Sequence, residues 1–380
     1  METLPKYSLT ELISYFLKLG TLGFGGPVAL VGYMHRDLVE DKQWINDEDY
    51  KEGLALSQLA PGPLAAQLCI YLGYVHYRIL GATLVGIAFV LPSFVMVLII
   101  GYTYVLYGGL SWMQAVFYGV GSAVIGIIAI GSYKLTVKNI GRDKLLWVIF
   151  LILAVTTFIT EEEILWIIIL AGVAVWITKA PPRWFSTAHG VIPGMLMQIQ
   201  PLITESKYLE IAWFFTKAGA FVFGSGLAIV PFLYGGVVKE YGWLNEQQFL
   251  DAVAVAMITP GPVVITVGFI GYLVAGPLGA VVAALATFLP CYIFTIVPAP
   301  YFKKYGKHPG IKAFVDGVTA AAIGAIAGAV LVLSKRTLTD APTLLIALTT
   351  AAVLLKFKKV QEPLLIGAAA LLGVLIRSMP

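Results

Sequence analysis

Two kinds of short stretch join helix-breaking residues to a capacity for holding a small charged ligand, and each occurs twice. The first is Leu22-Gly-Phe-Gly-Gly-Pro27, answered by Val222-Phe-Gly-Ser-Gly226; the second is Ala60-Pro-Gly-Pro63, answered by Thr259-Pro-Gly-Pro262. All four interrupt apolar segments. Glycine costs a helix interior roughly 1 kcal/mol, and proline about 3, relative to alanine. Proline sits comfortably only in the first turn of a helix, so new half-helices are expected at Pro27, Pro63 and Pro262. Gly226 stands where the first copy has Pro27, which moves the expected restart there to Pro231. The opening amides, Val28 and Ala29, Leu64 and Ala65, Val263 and Val264, then have no intrahelical acceptor. In lipid such donors need an internal partner, and a helix N-terminus favours an anion. Glycine lets a ligand approach the backbone closely. The chemistry indicated is capture of a desolvated anion by Phe24, Gly25, Gly26, Pro27, Val28, Pro61, Gly62, Pro63 and Leu64, with Gly224, Ser225, Gly226, Pro260, Gly261 and Pro262 in the second copy.

Side chains near the breaks extend this set. Lys18 and Lys217 lie in apolar surroundings just ahead of the first break of each copy, where an ionisable group is costly. They read either as anion attractors or as cations that snorkel or pair with carboxylates. Glu11 and Glu210 fall on about the same helix face two turns earlier, and with Glu52 and Asp251 they are the candidates for proton coupling. Ser57, Gln58 and Gln67 in the first copy, and Thr259 and Thr266 in the second, offer hydroxyl and amide donors suited to a tetrahedral oxyanion. Each serves equally as an interhelical hydrogen bond. Small residues also let membrane helices pack closely, which is the plainer reading of any single break; four breaks at related positions favour a site. Trp44 and Trp243, each followed by Asn, read as interface anchors and helix caps.

The elements that must position these residues are membrane helices. The chain of 380 residues is 59% hydrophobic and 12% charged, about half the charge of a soluble domain, with mean hydropathy +0.88. No Asp, Glu, Lys or Arg occurs from Ile79 to Tyr133 or from Ala252 to Phe302, and about 20 apolar residues cross a bilayer. The alternation of a β-barrel is missing. The expected fold is therefore all-α and polytopic, with about 10–12 hydrophobic helices. The opening residues lack the pattern of a signal peptide, so insertion by internal spans is expected. A net charge of +4 does not point to nucleic acid. Cys69 and Cys291 both fall in apolar segments, so no disulfide framework is expected.

The chain is also written twice. Residues 11–63 align without a gap on 210–262 through Glu11/Glu210, Phe16/Phe215, Lys18/Lys217, Gly20/Gly219, Trp44/Trp243, Asn46/Asn245 and the Pro-Gly-Pro triplets, and the match continues one residue out of step through Gly73/Gly271 and Leu91-Pro92/Leu289-Pro290. Residues 1–180 and 208–380 are the expected repeats, joined by a linker over 181–207 whose prolines stop the preceding helix. Each repeat holds about six apolar segments, the last two short for full spans. Basic residues follow the fourth segment in the first half (Lys134, Lys138, Arg142, Lys144) and precede it in the second (Lys303, Lys304, Lys307, Lys312). By the loop-charge rule this favours opposite orientations, against which Lys335 and Arg336 weigh. Inverted repeats with helices broken near the midplane are a plan of secondary transporters.

Other chemistries find little support: the four histidines have no metal-ligand spacing, and the glycine-rich stretch lacks the strand and Lys-Ser/Thr of a nucleotide loop. No cofactor is expected and the chain does not read as an enzyme. The stretches FLKLGTLGFGGPVAL, LALSQLAPGPLAAQL, FTKAGAFVFGSGLAIVPFL and ITPGPVVIT resemble the chromate ion transporter family in its long form with two homologous halves. The resemblance implies export of chromate across the cytoplasmic membrane, with sulfate as the related oxyanion, and marks Gly25, Gly26, Pro27, Gln58, Pro61, Gly62 and Pro63 as motif residues. Met257 stands at the place of Gln58 in the second copy, which puts the weight of binding on the first half. The expected partners are chromate or sulfate, membrane lipid and a second copy of the chain. A sulfate or other anion transporter, or a channel, is the rival reading.

Overall fold

Helices begin where the sequence offers a cap. Ser8 and Glu11 form a capping box before α1 (Leu9–Leu22). Asn46 accepts the Asp49 N–H at the start of α3 (Asp47–Leu59), and Asn245 with Gln248 repeats the device at α10 (Glu246–Ile258). Each such cap is worth about 1 kcal/mol. The computed structural model describes residues 7–24, 26–107, 111–161, 165–181, 206–222, 226, 229–305, 308–357, 360 and 362–378, so most of the linker and Gly25, Gly224 and Ser225 lie outside the described residues. The first half comprises α1, α2 (Gly26–Met34) running into a π-helical turn (His35–Asp41), α3, α4 (Leu64–Tyr107), α5 (Ser111–Asn139), α6 (Lys144–Thr160) and α7 (Leu165–Lys179). The second comprises α8 (Lys207–Phe221), α9 (Ile229–Leu233) with its own π turn (Tyr234–Glu240), α10, α11 (Thr266–Ile296), α12 (Ala299–Tyr305), α13 (Pro309–Thr337), α14 (Ala341–Lys356) and α15 (Glu362–Ser378).

At the breaks the chain turns back. Tyr15 on α1 donates to Asp37 in the π turn at 3.1 Å, and Tyr7 stacks on Trp44 at 4.9 Å. A continuous helix through the break would separate Tyr15 and Asp37 by about 33 Å. The α1–α2 segment is therefore a hairpin with the glycine break at its tip. The second segment is built alike: Gly53 on α3 lies against the ring of Tyr71 on α4. Phe214 and Trp243, with ring centroids 5.6 Å apart, close the corresponding first hairpin of the second half. The 14 residues of α1 reach about 21 Å, short of a bilayer core of about 30 Å. The first two apolar segments of each half are thus hairpins whose single arms are too short to span a bilayer core.

The long spans follow. Within α4 the non-helical Arg78 (φ 53°) separates a short inner arm, 64–77, from an outer arm, 79–107; Ala275 and Gly276 divide α11 likewise. Helices over Leu64–Tyr107, Trp112–Asn139, Val263–Phe302 and Pro309–Thr337 are long and apolar enough to cross a membrane. With the shorter apolar α6, α7 and α14 they make a multi-pass, all-α membrane protein. The Thr83 and Tyr292 hydroxyls share a 2.6 Å hydrogen bond, and Gly101 abuts Tyr272. Equivalent helices α4 and α11 therefore run antiparallel against each other. Helices α6 and α7 pack on α13 of the other half, while α14 and α15 pack on α5. The hairpins of the first half emerge at the end of the bundle where α12 touches α3 and where Trp176 meets Gly310. Those of the second half emerge at the opposite end, where Arg336 reaches Glu161 and Glu246.

Each first hairpin is clamped to the outer span of its own half at a bare backbone contact. A Cβ on Gly20 would lie 2.2 Å from the Phe89 carbonyl oxygen, and one on Gly219 would lie 2.1 Å from that of Thr287. Gly219→Ala is expected to lower the midpoint of heat-induced aggregation in detergent, by an overpacking cost of about 1–3 kcal/mol. Gly32→Ala, which meets no atom within 4 Å, is expected to raise it slightly, by about 0.5–1 kcal/mol.

Candidate functional site

The four tips meet in the interior. Ala60 ends α3 in an extended conformation, Gly62 turns at φ 140°, and α4 restarts at Leu64 directly after Pro63. In the second copy Gly261 turns at φ 89°, and Val263–Ile265 form one 3-10 turn before α11. The Gly62 N–H donates to the Val222 carbonyl at 2.5 Å, and the Gly261 N–H donates to the Gly23 carbonyl at 3.0 Å. These two bonds are repeat-equivalent. Each joins the Pro-Gly-Pro tip of one half to the glycine-rich tip of the other.

With the glycine amides so occupied, the donors left over are those after them. Among the described residues the N–H groups of Leu64, Ala65 and Ala66, and those of Val263 and Val264, have no acceptor, although all five residues are at most 8% exposed. The amide of Gln67 bonds Pro63, and its side-chain Nε2 donates to the Pro61 carbonyl at 2.7 Å, leaving a buried Oε1 without a partner. Gly226 lies against Val263 and the Val264 amide, so both tips of the second half border the same backbone. Phe24, half-buried, and Pro27 border the first tip. The structure brings Pro61, Gly62, Pro63, Leu64 and Gln67 together, and on the other side Gly226, Thr259, Pro260, Gly261 and Pro262.

The hydroxyls behave otherwise. Ser57 donates to Gly53, Thr259 to Ala256 and Thr266 to Val263, each within its own turn. Gln58 is exposed on α3, away from the buried face that carries Ser57. The chain is already helical at Ile229, ahead of Pro231. Neither lysine pairs with the glutamate ahead of it: Glu11 accepts from Ser8 N and Oγ, Lys18 has no ion-pair partner among the described residues, and Lys217 lies over the Trp213 ring at 5.6 Å. Glu210 is half-exposed. Of the four carboxylates Asp251 alone is buried, at 3% exposure, accepting from Tyr104 at 2.7 Å and Gln247 at 2.8 Å. Its counterpart Glu52 bonds Tyr71. Sequence reasoning missed Tyr104 and Ser93, whose Oγ faces Gly261. No local spacing signals either, since each acts from a span distant in the chain.

A family model described as chromate transporter matches residues 10–176 and 209–374. A chromate transport protein of Cupriavidus metallidurans is 68% identical over 98% of this chain and 94% of its own length. A probable chromate transport protein of Synechococcus elongatus is 62% identical over 98% and 97%, and a chromate transport protein of Pseudomonas aeruginosa is 29% identical over 98% and 93%. No solved structure matches the chain significantly.

A Cβ on Gly261 would stand 2.1 Å from Ser93 Oγ, in a backbone region that L side chains rarely adopt. Gly261→Ala is expected to destabilise the folded protein by about 1–3 kcal/mol. The Gly261→Ala/Ser93→Ala double variant is expected to recover part of that loss, a coupling of about 1 kcal/mol measurable as non-additive shifts in the thermal midpoint.

Proposed function

The chain belongs to the chromate transporter family, and we propose that it is a secondary transporter exporting chromate across the cell membrane, with sulfate as a competing oxyanion. The observation that carries this reading is the run of buried amides at Leu64, Ala65 and Ala66, repeated at Val263 and Val264, that have no acceptor among the described residues. Donors fixed in a water-poor interior replace a hydration shell without reorganising, and the N-terminal end of α4 adds a favourable potential for a dianion. Chromate and sulfate are both tetrahedral dianions whose oxygens accept such bonds. The names of the relatives favour chromate.

The antiparallel packing of α4 on α11, and hairpins entering from opposite ends, support two inverted repeats, 1–180 and 208–380, that rock about the meeting tips to alternate access. Loop charge supports the direction. The end carrying the first half's hairpins holds Arg36, Lys42, Lys51, Arg142, Lys179 and Lys312. The other end holds Lys239, Lys335 and Arg336, with Lys239 and Arg336 paired to Glu161 as Arg36, Lys51 and Lys179 pair with Asp37, Asp47 and Asp143 at the first end; Arg336, with Lys239, holds the Glu161 carboxyl below the ordinary carboxylate range. An excess of Lys and Arg marks the cytoplasmic face, so the first half opens to the cytoplasm. Asp251, buried and bonded to Tyr104 from α4, is the carboxylate placed to couple proton movement to that rocking.

Labelled chromate is expected to enter everted membrane vesicles containing this protein saturably and to be inhibited by excess sulfate. Uptake that neither saturates nor shows counter-flow identifies a channel, and no uptake by folded protein removes chromate as substrate. Asp251→Asn is expected to reduce uptake driven by a pH gradient at least tenfold while chromate–chromate exchange persists; equal loss of both removes the coupling role.

A further inference from the structure

The two halves differ most along the first hairpin. In the first half a groove of about 650 Å³ runs between α1 and the π turn, from the outer end of the hairpin to Gly23 and Phe24 at its tip. Lys18, Arg36 and Lys42 line it, with Tyr15, Tyr33 and Trp44. Its two carboxylates have partners of their own: Glu11 accepts from Ser8 N at 2.7 Å and from Ser8 Oγ at 2.8 Å and is close enough to Lys42 to feel its charge, and Asp37 accepts from Arg36 at 2.8 Å and from Tyr15 at 3.1 Å. Lys18 has no ion-pair partner among the described residues, and Lys42 rests over the Trp44 ring at 4.5 Å.

In the second half the same register is filled. Tyr15, Tyr33 and Lys42 correspond to Phe214, Phe232 and Tyr241, and Arg36 and Asp37 correspond to Gly235 and Gly236. Phe214 stacks on Phe232 at 5.1 Å, Tyr241 stacks on Trp243 at 4.5 Å, and the Phe214 ring presses on Gly236, where a Cβ would lie 2.0 Å away. Two cations and a carboxylate have become aromatic packing and bare backbone. No cation of this half other than Lys217 stands in that register.

We infer that the first-half groove is a docking site for a free oxyanion at the cytoplasmic face, in which Lys18 and Lys42 hold the anion before it reaches the amides at the tips, and that the second half has no counterpart. The inference rests on the transport reading for its direction, and on the groove itself for its chemistry. The Trp44 ring beneath Lys42 shields one side of that ammonium from water and strengthens its pull on a dianion. A groove lined by one excess sign of charge focuses the field and raises the local concentration of the ligand. One open groove and one sealed groove make capture one-sided, which suits a transporter that loads from a single compartment.

The test uses Lys42→Gln, Lys42→Arg and the wild type, with labelled chromate offered from either face in everted and right-side-out vesicles. Lys42→Gln is expected to raise KM about tenfold from the cytoplasmic face, with little change in maximal rate and none in KM from the other face; Lys42→Arg is expected to restore it. An unchanged KM, or an equal rise from both faces, overturns the inference. Chromate protection of the purified protein against heat in lipid-free detergent separates this from the transport reading. Protection lost in Lys42→Gln but present in a wild type that fails to transport keeps the docking site and discards the transport reading. No protection of the wild type, or protection by phosphatidylglycerol in place of chromate, overturns the docking site.

Discussion

A backbone group held at membrane depth must find its partner within the protein, and the two bonds Gly62 N–H to Val222 and Gly261 N–H to Gly23 are how this chain meets that demand. Each half turns its first two segments back on themselves at residues that cannot continue a helix, which strands carbonyls at one tip and amides at the other. Among the described residues, the stranded groups within one half do not satisfy each other. Across the two halves they do, because the hairpins enter from opposite ends and the tips arrive at one depth with complementary groups facing. The buried amides beyond Gly62 and Gly261 are the remainder of that accounting, and they form the candidate site because the pairing stops short of them.

A second reciprocity holds the tips together. Helices α6 and α7 lie on α13, and α14 and α15 lie on α5, so each half uses its peripheral pair to cover the other's central span. Gly119 meets Ala369, and its equivalent Gly317 meets Ala171, both at backbone distance. Close approach of this kind substitutes for the hydrophobic drive that is missing between helices in lipid. Neither half presents a complete interior on its own.

The halves share a backbone plan and divide the chemistry. The first keeps Lys18 without an ion-pair partner among the described residues, Gln67 with a free acceptor, and an open groove; the second replaces these surroundings with Trp213 under Lys217, Thr266 bonded into its own turn, and a cluster of rings. Buried carboxylate chemistry runs the other way: Asp251 is enclosed against Tyr104, whereas Glu52 is half-exposed. One half thus keeps an open, cation-lined groove and the other a packed aromatic cluster and a buried acid.

The sequence by itself determined the membrane class, the internal repeat, the positions of all four breaks and the caps at Asn46 and Asn245, because these depend on composition, on local backbone chemistry and on residues a few positions apart. Pro61, Gly62 and Pro63 in succession are costly in a helix interior wherever they are, so the break at 60–63 was legible before any fold. Only the tertiary structure decided that the breaks are hairpin tips, since Tyr15 reaching Asp37 and Gly53 meeting Tyr71 depend on the direction in which the chain leaves the break, which glycine and proline leave open. It alone decided that the glycine amides bond the other half and that the free donors begin at Leu64. Those pairings join residues about 160 to 240 positions apart, and no spacing in a linear chain records a contact that exists only once two hairpins have entered from opposite sides.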